Sequence, residues 1–412
     1  MSKLEELINR LCPNGVEYKT LGEVATLGAG GDVPRDRFSE TRTEQYNIPI
    51  YSNGIKEKAL YGFTDISKVD KPCITISARG TIGWCALRKE PFYPIIRLIY
   101  AIPQESMLVD FLKYVVDTIK FKVPTTGIPQ LTVPMVSKYK LPVPPLEVQR
   151  EIVRVLDNFT FLTTELAAEL AARQKQYEYY RDLLLTFKPD ESTILNEITN
   201  ELEINGPVRW MKLGDIADVT KLAGFEFTKY IQYSDNGKVI AIRGLNVKKG
   251  RLDLSQVKYI DNSDFSKLSR SKLYINDIIF TYVGTVGQVG LVEENDRFYL
   301  APNVARIRFK SKVILPKFLL YYFQCKEFIK LSLNRYMNAS SMSNLTMENI
   351  RKFSLPVPPL GEQRRIVSIL DRFDALCNDI TSGLPAEIAM RQKQYEYYRD
   401  KLLTFKELKK EA

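Results

Sequence analysis

The most concentrated binding chemistry in this sequence lies in two sets of cationic, amide and hydroxyl side chains. The first set is Arg35, Arg37, Lys56, Lys58 and Arg79, followed by Thr125, Thr126 and Gln130. The second is Arg243, Asn246, Lys248, Lys249, Arg251, Arg270 and Lys272, followed by Asn338, Ser340, Ser341 and Asn344. Such groups hold anions and hydrogen-bond acceptors; they do not make or break bonds. The formal net charge of +10 agrees, because it favours polyanionic partners. Taken singly, each cation also fits a solvated surface charge. Their clustering on Gly- and Asn-rich loops is what singles them out.

Catalytic chemistry is hard to find. The chain has no histidine, which removes imidazole bases, Ser-His-Asp and Cys-His nucleophiles, and every zinc site that needs an imidazole. The five cysteines, Cys12, Cys73, Cys85, Cys325 and Cys377, are scattered and form no CxxC pair. They read as buried thiols in a reducing compartment. No Gly-x4-Gly-Lys-Ser/Thr cradle for ATP occurs, and Gly28–Gly31 reads as a turn. Acidic residues are plentiful but do not cluster with a lysine as a magnesium-dependent nuclease would need. No basic-then-apolar leader opens the chain. The apolar runs near 95–102 and 275–292 are broken by Arg97, Asn276 and Asp277, so neither makes a membrane span. A soluble, cytoplasmic protein is expected.

The elements that position these groups announce themselves by repetition. Arg173–Asp182 reads RQKQYEYYRD, and Arg391–Asp400 reads the same ten letters. Upstream, LPVPPLEVQREIVRVLD from Leu141 matches LPVPPLGEQRRIVSILD from Leu355. The offset grows from 214 residues at Leu141/Leu355 to 218 at Arg173/Arg391, so the second copy carries extra residues between Leu376 and Leu384. Weaker echoes pair Tyr18–Ala25 with Trp210–Ala217, Gly80-Thr-Ile-Gly83 with Gly284-Thr-Val-Gly287, and Gln130-Leu-Thr132 with Asn344-Leu-Thr346. The chain is thus a variable segment followed by a nearly fixed one, used twice.

The variable segments have the mixture of β-branched runs, turn residues and helical spacing that predicts α/β globules. Ile48–Tyr51, Cys73–Ser77 and Ile95–Ile102 read as strands, and Leu108–Phe121 as a helix. Each globule is expected to stop at Leu-Pro-Val-Pro-Pro, where proline cannot donate to a ladder. The fixed segments read as long helices with apolar residues spaced three and four apart. One seam is Ile152, Leu156, Phe159, Leu162, Leu166, Leu170, Tyr177, Tyr180, Leu184 and Phe187; the other is Ile366, Leu370, Phe373, Leu376, Ile380, Ile388, Tyr395, Tyr398, Leu402 and Phe405. Gly383 and Pro385 should break the second helix and restart it. The expected division is a globule at 1–143, a helix at 144–188, an acidic linker at 189–204, a globule at 205–357 and a C-terminal helical segment at 358–412. Two equal apolar stripes are most economically buried against each other. The fold class expected is therefore mixed α/β: two globular α/β domains separated by two long helices that form an antiparallel coiled coil, with a pseudo-twofold internal repeat. A core helix within each globule is the alternative.

LPVPPLxxQRxIVxxLD leading into a helix that ends RQKQYEYYRDxLLTF, present twice around two dissimilar globules, resembles the specificity subunit of Type I restriction-modification enzymes. The resemblance covers the whole chain in architecture, with its specific motifs at 141–188 and 355–406. It implies that the globules are target recognition domains, each reading one half of a bipartite, asymmetric site in double-stranded DNA. It implies helices that set the spacer and dock two methyltransferase subunits, with restriction/translocase subunits joining that core. It implies no catalysis and no cofactor on this chain, with S-adenosylmethionine, ATP and magnesium on the partner subunits. Val143-Pro-Pro-Leu146 fits that division, since it lacks the Asn or Asp and the aromatic of an adenine methyltransferase motif.

On this resemblance the two cationic sets become DNA-contact candidates: Arg35, Arg37, Lys56, Arg79, Thr125, Thr126 and Gln130 in the first globule; Arg243, Lys248, Lys249, Arg251, Arg270, Lys272, Ser340, Ser341 and Asn344 in the second. Base edges in the major groove call for Arg, Lys, Asn or Gln, and phosphates for Lys or Arg. The equivalent stretches Thr125–Gln130 and Asn338–Asn344 stand out most. Arg150, Arg173 and Arg181, with Arg364, Arg391 and Arg399, are candidates for partner contact; solvation and intrahelical pairing are equally open to them. Two other readings are a standalone DNA-modifying or cleaving enzyme and a coiled-coil scaffold.

Overall fold

The computed structural model describes residues 3–124, 127–187, 208–222, 229–337 and 344–408. The linker expected at 189–204 lies outside them. The chain forms two compact units, residues 1–167 with 387–412, and residues 168–386. These units cut across the divisions expected from chain order, because each takes part of both repeated helical segments.

In the first unit, four antiparallel strands form the main sheet in the order Ala25–Ala29, Leu98–Pro103, Cys73–Ser77, Cys85–Arg88. A second sheet sets Leu60–Thr64 beside Ile48–Tyr51, which pairs in parallel with Tyr93–Pro94. The helix Val109–Asp117 buries Phe111, Leu112, Val115 and Val116. It is shorter than the apolar spacing suggested.

The second unit repeats this plan with a different sequence. Its main sheet runs Ala217–Lys221, Val304–Phe309, Ile278–Thr281, Val289–Leu291, again all antiparallel. Ile240–Ile242 pairs in parallel with Phe298–Leu300, as Ile48–Tyr51 does with Tyr93–Pro94. One hairpin, Val247–Lys248 with Arg251–Leu252, has no counterpart among the described residues of the first unit.

The proline-rich stretches correct an expectation. Lys140–Val143 and Ser354–Val357 are strands, paired antiparallel with Glu17–Thr20 and Arg209–Lys212. Pro142 faces Tyr18 and Pro356 faces Trp210. A two-stranded ribbon tolerates proline because half of its backbone N–H groups point away from the partner strand. The weak echo at the start of each half is thus the other strand of its own exit ribbon.

A single helix, Leu146–Leu184, carries the first fixed segment. The second is broken, as Gly383 and Pro385 required, into helices Leu360–Asn378 and Leu384–Leu402. In the first unit the start of the long helix runs antiparallel to the last helix: Phe159 stacks on Tyr398 with centroids 5.4 Å apart, and Lys140 reaches Glu407 at 3.8 Å. In the second unit its end runs antiparallel to Leu360–Asn378, with Tyr180 stacked on Phe373 at 5.6 Å. The seams also enter the globular cores, through Ile152 and Leu156 in one unit and Ile366 and Leu370 in the other. Both readings of the seam hold in part. Four expected seam residues are exposed: Leu162 at 46%, Leu376 at 38%, Tyr398 at 40%, and Ile380 at 81% in the break after Asn378. A three-four repeat drifts around a straight helix by about 20° per heptad, so a long stripe cannot stay covered throughout.

Candidate nucleic-acid interface

The fixed segments hold each globule by the same contacts. Buried Gln149 accepts from the Leu108 N–H at 2.8 Å and donates to the Ser106 and Pro144 carbonyls, each at 2.8 Å. Buried Gln363 accepts from the Leu315 N–H at 2.7 Å and donates to the Val313 and Pro358 carbonyls at 2.8 Å. One helical turn pair further on, Asp157 accepts from the Tyr114 hydroxyl at 2.6 Å, and Asp371 from the Tyr321 hydroxyl. Burial and these carboxylates push both phenols up from their ordinary value. The Gln of QR and the Asp of LD in the fixed segment therefore fasten the helix to the domain; the repeat marked these letters without revealing this role.

Above this frame, several loops meet at one edge of each main sheet. Gly80-Thr-Ile-Gly83 and Gly284-Thr-Val-Gly287 are the turns of equivalent hairpins, and their glycines adopt φ of 76°, 83°, 78° and 89°, where a side chain would be strained. Leu131 and Leu345 are buried and pin the following loop back, donating to the carbonyls of Ala78 at 2.8 Å and Tyr282 at 2.9 Å. This places exposed Gln130 and Asn344 beside the hairpin turns. Thr125, Thr126, Ser340 and Ser341 lie outside the described residues, as does Asn338.

The other candidates divide by their neighbours. Arg35, Lys56 and Arg270 are exposed, and Arg79 is half-buried beside the first hairpin turn. Arg37, Lys248 and Lys272 already meet Asp65 at 2.7 Å, Asp253 at 2.6 Å and Asp296 at 2.6 Å. The Lys248 ammonium and the Ser255 hydroxyl and amide hold the Asp253 carboxyl well below the usual carboxylate range. Lys249 sits at the tip of the unmatched hairpin with φ 47°, ahead of Gly250 at 86°. Arg251 reaches back to the Leu360–Asn378 helix, donating to Asp374 and, at 3.0 Å, to the Asn378 carbonyl. Arg243 donates to the Gln256 carbonyl at 2.9 Å and lines a cavity of about 470 Å³ with Tyr233, Thr285 and Asn303. Exposed ion pairs of this kind are worth about 0–1 kcal/mol, so they exchange readily for a phosphate.

Each unit also has a cleft between its hairpin turn and its helix pair, and this brings together residues expected in different roles. In the first unit, Lys56 and Arg399 share a cleft of about 1090 Å³ with Thr160, Thr164 and Tyr395. In the second, Lys249 and Arg181 line the equivalent cleft of about 300 Å³ with Tyr177, Asp374 and Asn378. Lys113 and Asp117 meet at 2.6 Å on the wall of the first. Burial opposes the charge on Lys113, but Asp117 outweighs it and holds the ammonium above its ordinary value; burial raises the Asp117 carboxyl.

The helical arginines mostly pair within their own helix. Arg173 meets Gln176 at 2.9 Å and Glu169 at 3.5 Å; Arg391 meets Gln394 at 3.3 Å and Glu387 at 3.5 Å. Arg181 and Arg399 bond the adjacent Asp182 and Asp400. Arg150 and Arg364 are exposed. Tyrosines were missed: Tyr179 is 56% exposed and Tyr397 62% exposed, each edge-on to its neighbouring tyrosine at 5.4 and 5.3 Å. Identity of the decamer at exposed positions was the available signal, since packing alone constrains buried ones.

Among the described residues, no group of His, Cys, Asp or Glu could hold a metal ion, and no helix is long and apolar enough to cross a membrane. All five cysteines are buried and free, with burial pushing Cys73 and Cys325 up to about 12.

Comparison with known proteins agrees with this geometry. A type I restriction enzyme specificity subunit of Escherichia coli is 28% identical over 426 residues, covering 98% of this chain and 97% of that one. A putative type I restriction enzyme specificity subunit of Haemophilus influenzae is 32% identical over 288 residues, 67% of this chain and 66% of that one. The crystal structure of the S subunit of a Type I restriction-modification system from M. genitalium shares the fold, with a TM-score of 0.54 at 14% identity, covering 94% of this chain and 96% of that one. A chain from a structural study of type I restriction-modification complex assembly matches with a TM-score of 0.56 at 16% identity, covering 95% and 98%. The profile of the type I restriction modification DNA specificity domain matches residues 13–173 and 207–390, so the chain belongs to that family.

Proposed function

We propose that this chain is the non-catalytic, DNA-reading subunit of a Type I restriction-modification complex, and that each unit reads one half of a bipartite, asymmetric site. The observation that carries this reading is one fastening scheme, Gln149 with Asp157 and Gln363 with Asp371, used beneath two loop edges of unlike sequence. A common frame with different edges suits two different half-sites. Half-sites approached from one side of the duplex favour centres about one helical turn, or 10 base pairs, apart, and the length of the Leu146–Leu184 helix would set the number of base pairs between them.

Methyltransferase subunits would dock on the repeated decamer, where Tyr179 and Tyr397 offer the same exposed ring twice. Two identical surfaces suit two copies of one partner, and restriction/translocase subunits would join that core. S-adenosylmethionine, ATP and magnesium would be held by those partners. Purified chain given DNA, magnesium and S-adenosylmethionine should then be inert, and should bind DNA with an affinity that falls steeply as salt rises. Adding methyltransferase subunits should give adenine methylation at a two-part motif. Turnover by the chain alone would favour a self-sufficient enzyme; no sequence-specific binding would favour a scaffold.

A further inference from the structure

Two residues outside the cationic clusters occupy one equivalent and strained place in the two units. Arg97 has φ 72° and Asn303 has φ 70°. Each immediately precedes the second strand of its main sheet, Leu98–Pro103 or Val304–Phe309. Each carbonyl accepts from the residue that also holds the buried leucine of the neighbouring loop. Ala78 donates to Arg97 at 2.8 Å and accepts from Leu131, while Tyr282 donates to Asn303 at 3.2 Å and accepts from Leu345. Both residues are exposed, and neither side chain has a hydrogen-bond partner among the described residues.

The left-handed region suits glycine and, less well, asparagine; arginine has no local hydrogen bond to offset the crowding of its Cβ there. Glycine would relieve that strain in both units, yet a long donor fork stands in one and an amide in the other. Strain held at the same loop-edge position in two different sequences points to use of the side chain. The residue types supply the use. A guanidinium fork pairs with O6 and N7 of guanine, and a carboxamide pairs with N6 and N7 of adenine.

We propose that Arg97 and Asn303 are specificity-determining side chains: Arg97 reads a guanine in the half-site of the first unit, and Asn303 an adenine in that of the second. This rests on the DNA-reading function proposed above. Their backbone bonds to Ala78 and Tyr282, the residues that also receive Leu131 and Leu345, bring Arg97 and Asn303 to the hairpin turns and to the chain next to Gln130 and Asn344.

The test is methylation-site mapping on randomised duplexes, with the full chain assembled with its methyltransferase subunits. Arg97→Gly keeps the backbone conformation, so folding is retained. It should cut discrimination at one guanine of one half-site roughly ten- to a hundredfold, leaving the other half-site unchanged. Arg97→Lys keeps the charge and loses the fork; it should show the same relaxed position while overall affinity stays near the parent. Asn303→Gly should relax one adenine in the other half-site only. An unchanged motif for Arg97→Gly and Asn303→Gly, with a clear bipartite motif for the parent, overturns the assignment. Absence of any bipartite motif for the parent would instead overturn the underlying function.

Discussion

The two units share a sheet order, a parallel strand pair, an exit ribbon and a buried glutamine clamp, yet they differ where a helix faces a loop edge. In the second unit, Arg251 bonds Asp374 and the Asn378 carbonyl, and Lys249 of the unmatched hairpin lines a cleft of about 300 Å³. In the first, Thr160 and Thr164 stand at the positions of Asp374 and Asn378, and the cleft is about 1090 Å³. Thr160 and Thr164 donate back to the Leu156 and Thr160 carbonyls and offer no charge for an arginine. The contrast separates two kinds of residue. Those that fasten domain to helix are the same twice; those that shape the edge are free to differ.

Removing the shared fastening should have the largest effect and should break the units alike. Gln149→Ala leaves the Leu108 N–H and two carbonyls without partners in a buried place, and Gln363→Ala does the same around Leu315. Each should cost about 3 kcal/mol, read as a lower denaturant midpoint. Near-equal losses would confirm a common joint; a loss in one only would break the comparison.

A smaller and unequal effect is expected at the second fastening. Asp371 serves both Tyr321 and Lys317, the latter at 2.9 Å, whereas Asp157 serves Tyr114. Asp157→Ala should cost about 1–2 kcal/mol and Asp371→Ala somewhat more. A larger loss at Asp157 would contradict the assignment.

The smallest effect on stability should come from the feature that differs. Arg251 is exposed, so Arg251→Ala should cost about 0.5 kcal/mol and less in high salt. It should nonetheless open the second cleft, making amides of Arg251–Leu252 exchange hydrogen faster. Unchanged exchange would mean that the hairpin is held by its packing alone.

Much of this frame was legible in the sequence. The decamer and the LPVPP stretches exposed the repeat, and Gly383 with Pro385 located the helix break. The proline stretches were not read as strands, because proline's missing donor says nothing about an edge strand that needs none. Leu162, Leu376 and Tyr398 joined a seam that a straight helix cannot keep covered, and Ile380 falls in the break after Asn378. At the edge, composition found the lysines and arginines but not their intramolecular partners: Asp65, Asp296 and Asp374 lie far from them in the chain and are brought near only by folding, and Asp253 meets Lys248 across the turn of a hairpin. Arg97 was seen only as an interruption of an apolar run, since its left-handed backbone is set by contacts with Ala78 that no local pattern records.

Alike frames beneath unlike loop edges underlie the proposed reading of a bipartite site, with the Leu146–Leu184 helix as its ruler. The most direct measurement maps the adenines methylated by the assembled complex, for the parent chain and for a variant with one added turn of about four residues near Thr163–Glu165, about 6 Å of helix. Two unchanged half-site sequences with a longer spacer between them would support the ruler. Altered half-sites with an unchanged spacer would contradict it.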